Sequence, residues 1–170
     1  MNNLFYQCNS LVSLDLSHFD ASNVIEMDST FRESRNLQTV NLNNFDASKV
    51  TYMGGLFKDC TGLISLDLST FKTSDALKDT RNMFDNCASL RYLNLDNFNT
   101  SNVRLMFYMF LGCKSLKALD LSSFNTEKVD TMESMFASCS SLTELNIKNF
   151  NTKNVGDMTN MLRNCSALKN

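Results

Sequence analysis

Proline is absent from this 170-residue chain, histidine occurs once and glycine only five times. Without proline nothing forces a break in a helix or a ladder, so regular structure can run almost from end to end. No Gly/Ser- or Pro-rich stretch is present to act as a linker, so residues 1–170 are expected to form one array. An excess of either charge is missing too. Lys and Arg number 16 against 18 Asp and Glu, for a net charge of −2 and a pI of about 5.3, which argues against a nucleic-acid surface. No apolar run approaches ~18 residues, so no membrane insertion is expected in this segment. The opening MNNLFYQC lacks the basic start and apolar stretch of a secretory signal. Phosphate-binding glycine loops and C-x-x-C zinc pairs are both wanting, and His18 alone cannot supply a Cys/His or Ser/His pair. A plain surface role is expected for His18. The chain reads as no enzyme, with no catalytic residues, cofactor or metal.

What is present is a beat. Phe19, Phe45, Phe71, Phe98, Phe124 and Phe150 lie 26, 26, 27, 26 and 26 residues apart. Such a period marks a repeat architecture, in which each small unit buries its apolar face only against its neighbours. The consensus is L-x-x-L-[DN]-L-x-x-F-x-[AT]-x-x-V-x-x-M-x-x-[ML]-F-x-x-C, with repeats starting near Leu11, Leu37, Leu63, Leu90, Leu116 and Leu142 and partial repeats at both ends. Of 13 phenylalanines, 12 fall in two columns, the second being Phe5, Phe31, Phe57, Phe84, Phe110 and Phe136. All 10 methionines fall in two more. An elongated solenoid of about six repeats follows, with binding as its default role.

Each unit splits into two periodicities. Leu14-Asp15-Leu16 alternates as a half-buried strand does. Val24, Met27, Phe31 and Ser34 recur at threes and fours, the stripe of a short helix, and the intervening [AT]-[SEK] is suited to a helix N-cap. Gly54-Gly55 weakens that reading in one repeat. The extra residue between Phe71 and Leu77 predicts a loop bulge. The expected fold class is therefore α/β: a leucine-rich-repeat solenoid with a curved parallel sheet on the concave face and short helices on the convex face. Curvature follows because a helix is roughly 10 Å across while strands lie ~4.8 Å apart.

Leu90–Leu95, Phe98-Asn99-Thr100-Ser101-Asn102-Val103 and Met106–Cys113 carry a recognisable form of this pattern. There the chain resembles the BspA-like leucine-rich repeats of bacterial surface proteins and lipoproteins, along essentially its whole length. The resemblance implies a cell-surface or secreted module for adhesion or protein binding, with no catalytic residues. The chain starts in the helix half of a repeat and stops at the start of a strand. That is expected of a fragment or domain of a longer protein; end-to-end stacking of chains is the other reading.

Cys8, Cys60, Cys87, Cys113, Cys139 and Cys165 share one column, which Ser34 completes. A slot shared by Cys and Ser is a small-residue site, so free buried thiols are expected, with strained disulfides as the alternative. Asp15, Asn41, Asp67, Asn94, Asp120 and Asn146 form another column. Their oxygens could hold Ca²⁺. Alternation of acid with amide instead fits a side-chain ladder that keeps like charges apart. Asn99-Thr100-Ser101 and Asn164-Cys165-Ser166 match glycosylation acceptors, as Asn-rich repeats do by chance.

Two clusters are candidates for protein binding. Arg91 and Tyr92 stand in strand-face columns otherwise filled mostly by small or polar residues, and both types are enriched at binding hot spots. On a helix, Phe107, Tyr108 and Leu111 would point away from the core, where a bulky trio marks an interface. The expected function is a non-catalytic protein-binding or adhesion module. The alternative is a structural spacer or self-associating segment, joined through its ends or through the repeat-four patch.

Overall fold

The backbone hydrogen bonds of this chain divide between short turns within a repeat and bonds that join neighbouring repeats. The computed structural model describes residues 1–169; Asn170, the last residue of the expected array, lies outside them. Six three-residue strands occur once per repeat: β1 (Ser13–Asp15), β2 (Thr39–Asn41), β3 (Ser65–Asp67), β4 (Tyr92–Asn94), β5 (Ala118–Asp120) and β6 (Glu144–Asn146). All pairings are parallel. Ser13 lies opposite Thr39, Ser65 opposite Tyr92, and Ala118 opposite Glu144. A second parallel ladder links single residues of successive rungs through Glu26, Tyr52, Asp79, Leu105, Thr131 and Asp157. The central aliphatic residue of each inner strand, such as Val40 or Leu66, is buried, while Asp67, beside Leu66, faces solvent.

The expected helices are not there. Among the described residues none is helical, and each arm is a chain of β-turns. In the second arm Thr30 N–H donates to Met27 O, Arg32 to Ser29, Ser34 to Phe31 and Leu37 to Ser34, every bond spanning three residues. Ser29 and Glu33 take the left-handed conformation, with φ of 55° and 60°. A positive φ at the third residue makes the turns Met27–Thr30 and Phe31–Ser34 type II, and the turns between them have no such residue. The pattern recurs in every arm, at Asn3 and Gln7, Gly55 and Asp59, Asn82 and Asn86, Tyr108 and Gly112, Ser134 and Ser138, and Asn160 and Asn164. Apolar residues recur at threes and fours along this arm as they would along a helix, which is why periodicity misread it.

The turn arm also removes the reason for curvature. A helix keeps its donors to itself, whereas here Met27, Ser29, Phe31 and Glu33 donate to the carbonyls of Tyr52, Gly54, Leu56 and Lys58 on the next rung. Arms can then approach as closely as strands do. Phe5, Phe31, Phe57, Phe84, Phe110 and Phe136 form a near-parallel stack with centroids 4.9–5.8 Å apart. Phe19 through Phe124 form a second stack at 5.5–6.4 Å. The face expected to be concave is the one that carries the strands, and the opposite one carries the turn arms, so they are called the strand face and the turn face.

The residues expected to cap helices bond rungs instead. Thr100 Oγ1 donates to Asn125 O and accepts from Asn125 N–H, both at 2.9 Å, and Thr126 does the same with Asn151. Where the column holds Ala47, a backbone bond from Ala47 N–H to Lys72 O takes over. The [DN]-x-[SEK] triplets are turns closed by the first side chain, as when Asp46 Oδ1 accepts from Ser48 N–H. The extra residue of repeat three is absorbed in the loop after Phe71: Ser74 Oγ donates to Ser48 O, and Leu77 remains buried.

Phe84 is fully buried between two stacking partners, whereas Phe19 at the stack's end is 44% exposed. Phe84→Ala is expected to lose about 3–5 kcal/mol and Phe19→Ala about 1 kcal/mol, read from urea unfolding midpoints. Gly112 has φ of 72° and room for a Cβ, with no heavy atom nearer than 3.6 Å. Gly112→Ala should therefore cost only the conformational penalty of about 1–2 kcal/mol in the same measurement. Far-UV circular dichroism should lack the double minimum of helix.

Candidate binding faces

On the strand face, the Asp/Asn column closes the turn that follows each strand. Asp15 Oδ1 accepts from Ser17 N–H at 2.8 Å, Asp67 from Ser69 at 2.9 Å and Asp120 from Ser122 at 2.8 Å. Asn41, Asn94 and Asn146 accept in the same way two residues on. Asn146 Nδ2 also donates to both oxygens of Asp120, at 3.0 and 3.1 Å. The Ser17 and Ser122 bonds hold the Asp15 and Asp120 carboxyls below the usual carboxylate range, with Asn41 and Asn146 adding to the effect. Acid and amide thus serve a common structural purpose, each closing the turn after its own strand, and the side-chain ladder expected from their alternation is met between Asp120 and Asn146.

The sheet is divided. Strands β1–β4 form one sheet and β5–β6 another, with no register pairing across the seam. Arg91 and Lys117, adjacent members of one column, place like charges at that seam, and like charges side by side weaken strand pairing. An open groove of about 730 Å³ lies there, lined by Arg91, Tyr92, Asn94 and Asp96 on one bank and by Ala118 and Glu144 among others on the far bank. Tyr92 is 53% exposed. Neither its hydroxyl nor the Arg91 guanidinium has a hydrogen-bond partner among the described residues.

The second expected cluster sits in the turn arm of repeat four. Phe107, Tyr108 and Leu111 are each half-buried, so the full outward projection expected of a helix is not observed. Turn geometry tucks the side chains along the arm. The Phe107 and Tyr108 rings meet edge to face at 5.4 Å. Tyr108 Oη donates to Glu133 Oε1 of the next rung at 2.6 Å, which raises the phenol's pKa. Tyr108 also occupies a left-handed position, φ 59°, that Asn3, Ser29, Gly55, Asn82, Ser134 and Asn160 fill elsewhere. Short polar residues and glycine tolerate that conformation, whereas a bulky side chain adopts it at a cost of roughly 1–2 kcal/mol. Strand-face and turn-arm clusters belong to different segments of the rung and do not form one site.

All six cysteines are free thiols. Cys60, Cys87, Cys113, Cys139 and Cys165 donate to the carbonyls of Phe31, Phe57, Phe84, Phe110 and Phe136 at 2.9–3.2 Å, and Ser34 donates likewise to Phe5. That bond is what Cys and Ser have in common. Burial pushes the Cys60 and Cys139 thiols up to about 12, which keeps them protonated and unreactive.

One polar cluster was not visible from sequence. Asp28 Oδ1 accepts from Gly54 N–H at 2.6 Å, reaching into space that a side chain at Gly54 would crowd, and Arg81 Nε pairs with Asp79 at 3.1 Å. Burial raises the carboxyl pKa of both Asp28 and Asp79, against the pull of the Gly54 and Arg81 amides and the Arg81 charge. The only signal in the sequence was a pair of glycines inside an arm.

These features define a parallel-strand repeat solenoid with two separate sets of large side chains, one exposed on the strand face and one half-buried in a turn arm. The family model described as "Mycoplasma protein of unknown function, DUF285" matches residues 1–91 and again 78–170, and the chain belongs to that family. No curated protein matches it. Among the described residues there is no helix long and apolar enough to cross a membrane.

Acid should weaken the fold. Asp15, Asp20, Asp46, Asp120 and Asp157 have lowered pKa values, so their contribution is present above the unfolded value near ~4 and fades as pH falls through their folded values. Asp28 and Asp79 act oppositely: their raised values penalise the ionised folded state, and that penalty lifts on protonation. Asp79→Asn removes one of these compensations. Its melting temperature should therefore fall more steeply than that of the wild type as pH drops from about 6 to about 3.

Proposed function

We propose that this array is a non-catalytic protein-binding or adhesion module of a bacterial surface protein, working at the cell surface or in secreted form. One observation carries the reading. Tyr108 places a large aromatic, beside Phe107, at a left-handed position that the repeat otherwise gives to Asn, Ser or Gly. Strained positions of this sort cluster at functional sites. The BspA-like pattern of Leu90–Leu95 and Phe98–Cys113 supports the same reading, since that family's modules adhere or bind proteins. Phe107, Tyr108 and Leu111 supply the anchoring contacts to a protein partner. A stiff array holds them in place before contact, which lowers the ordering cost of binding.

The test uses beads coated with the array and applied to cultured animal cells. Attachment should be abolished by protease treatment of the cells and reduced at least about tenfold by Phe107→Thr/Tyr108→Asn, a loss typical of hot-spot removal. Both substitutions borrow residues that the repeat already carries at those columns, Thr159 and Asn82, so the fold is retained. Attachment equal to that of the wild type would overturn the proposal.

A second reading, self-association, rests on the polarity of the arms. The recurring bond between arms runs from an N–H of one rung to a C=O of the next, as from Phe5 to Thr30 and from Phe136 to Met161. A stack of such rungs offers acceptors at one end and donors at the other, the complementarity needed for head-to-tail growth. Sedimentation velocity separates the readings: particles that grow with concentration favour stacking, and a constant monomer rejects it.

A further inference from the structure

We propose that the groove at the seam between β4 and β5 is a binding site for a short neutral oligosaccharide, a site distinct from the protein-binding patch of the turn arm. Tyr92 offers an exposed aromatic face, and Ala118, one rung on, leaves the floor beside it low and open. Donors and acceptors surround that platform. The Arg91 guanidinium and the Asn94 amide N–H groups have no hydrogen-bond partner among the described residues, while Asn94 Oδ1 is engaged by Asp96 N–H. Asp96 and Glu144 supply acceptors from opposite banks.

The chemistry selects among occupants. A protein anchor needs a desolvated apolar pocket, and this groove has polar banks and one aromatic. A polyhydroxylated ring matches it, presenting hydroxyls that both donate and accept and an apolar face that lies on tyrosine. Charge narrows the class further. Arg91 is the sole cation in the lining, against Asp96, Asp120 and Glu144, so the groove disfavours acidic sugars. At about 730 Å³ it has room for two or three sugar rings.

Titration of the 170-residue protein with chitotriose, cellotriose and maltotriose, followed by saturation-transfer NMR and calorimetry, tests the proposal; 3′-sialyllactose is the acidic control. At least one neutral sugar should bind saturably with a Kd at or below about 1 mM, and the sialylated sugar at least about tenfold more weakly. Tyr92→Ala should weaken the neutral sugar at least about tenfold, while Phe107→Thr/Tyr108→Asn leaves it unchanged. Alanine follows the precedent of Ala118 in the same column, so folding is not at issue. Failure of all three neutral sugars to saturate, equal affinity in Tyr92→Ala, or preference for the sialylated sugar would each overturn the assignment. The turn-arm reading is untouched by any of these results, because its own test alters Phe107 and Tyr108 alone.

Discussion

Backbone hydrogen bonding from rung to rung is the constraint on which this protein depends. Each rung is too small to bury its own core, and each arm is too irregular to satisfy its own peptide groups. Donation from Phe31 to Leu56, or from Phe84 to Met109, solves both problems by holding successive rungs at strand-like distance. At that distance identical side chains meet face on. Phenylalanine rings stack in two columns, methionines join them in the core, and the five cysteines from Cys60 to Cys165 each find the carbonyl of a phenylalanine one rung earlier. Spacing comes first; the core chemistry follows from it.

Polar side chains serve the same spacing. Asp and Asn after each strand close a turn, and Thr100 or Thr126 bridges to the next rung's peptide. Few of the repeated polar residues are therefore free to act on a ligand. What remains is the irregular minority: Arg91 and Tyr92 at a seam, and Phe107, Tyr108 and Leu111 in an arm. Both clusters lie in repeat four. The residues that break the repeat's own rules carry the functional reading, because the scaffold does not need them.

Local strain has a clear distribution along the array. Two residues in every arm adopt the left-handed conformation, and most are Asn, Ser, Gly or Asp, for which the cost is small. Tyr108 is the bulky exception and recovers part of its cost through Glu133. Division of the sheet at β4 and β5 is local as well, for the phenylalanine stack continues across it at 5.5 Å between Phe84 and Phe110. An array held together along two sides can open on one side without coming apart.

The period, the strand segments, the buried columns and the small-residue character of the Cys/Ser slot were all legible in the sequence, because a stack repeats its contacts and so repeats its letters. The Phe beat and the L-x-L alternation report burial directly. The helices were misread from Val24, Met27 and Phe31, since apolar recurrence at threes and fours says which residues face inward and not how the backbone turns between them. Gly55, Asp59, Asn82 and Asn86 carried the contrary signal, being residues that favour left-handed turns. The exposure of Phe107, Tyr108 and Leu111, the groove beside Tyr92 and the pocketing of Asp28 over Gly54 were decided only in three dimensions. Each depends on what the neighbouring rung leaves empty or unpaired, and that is a property of stacked rungs which no single repeat contains.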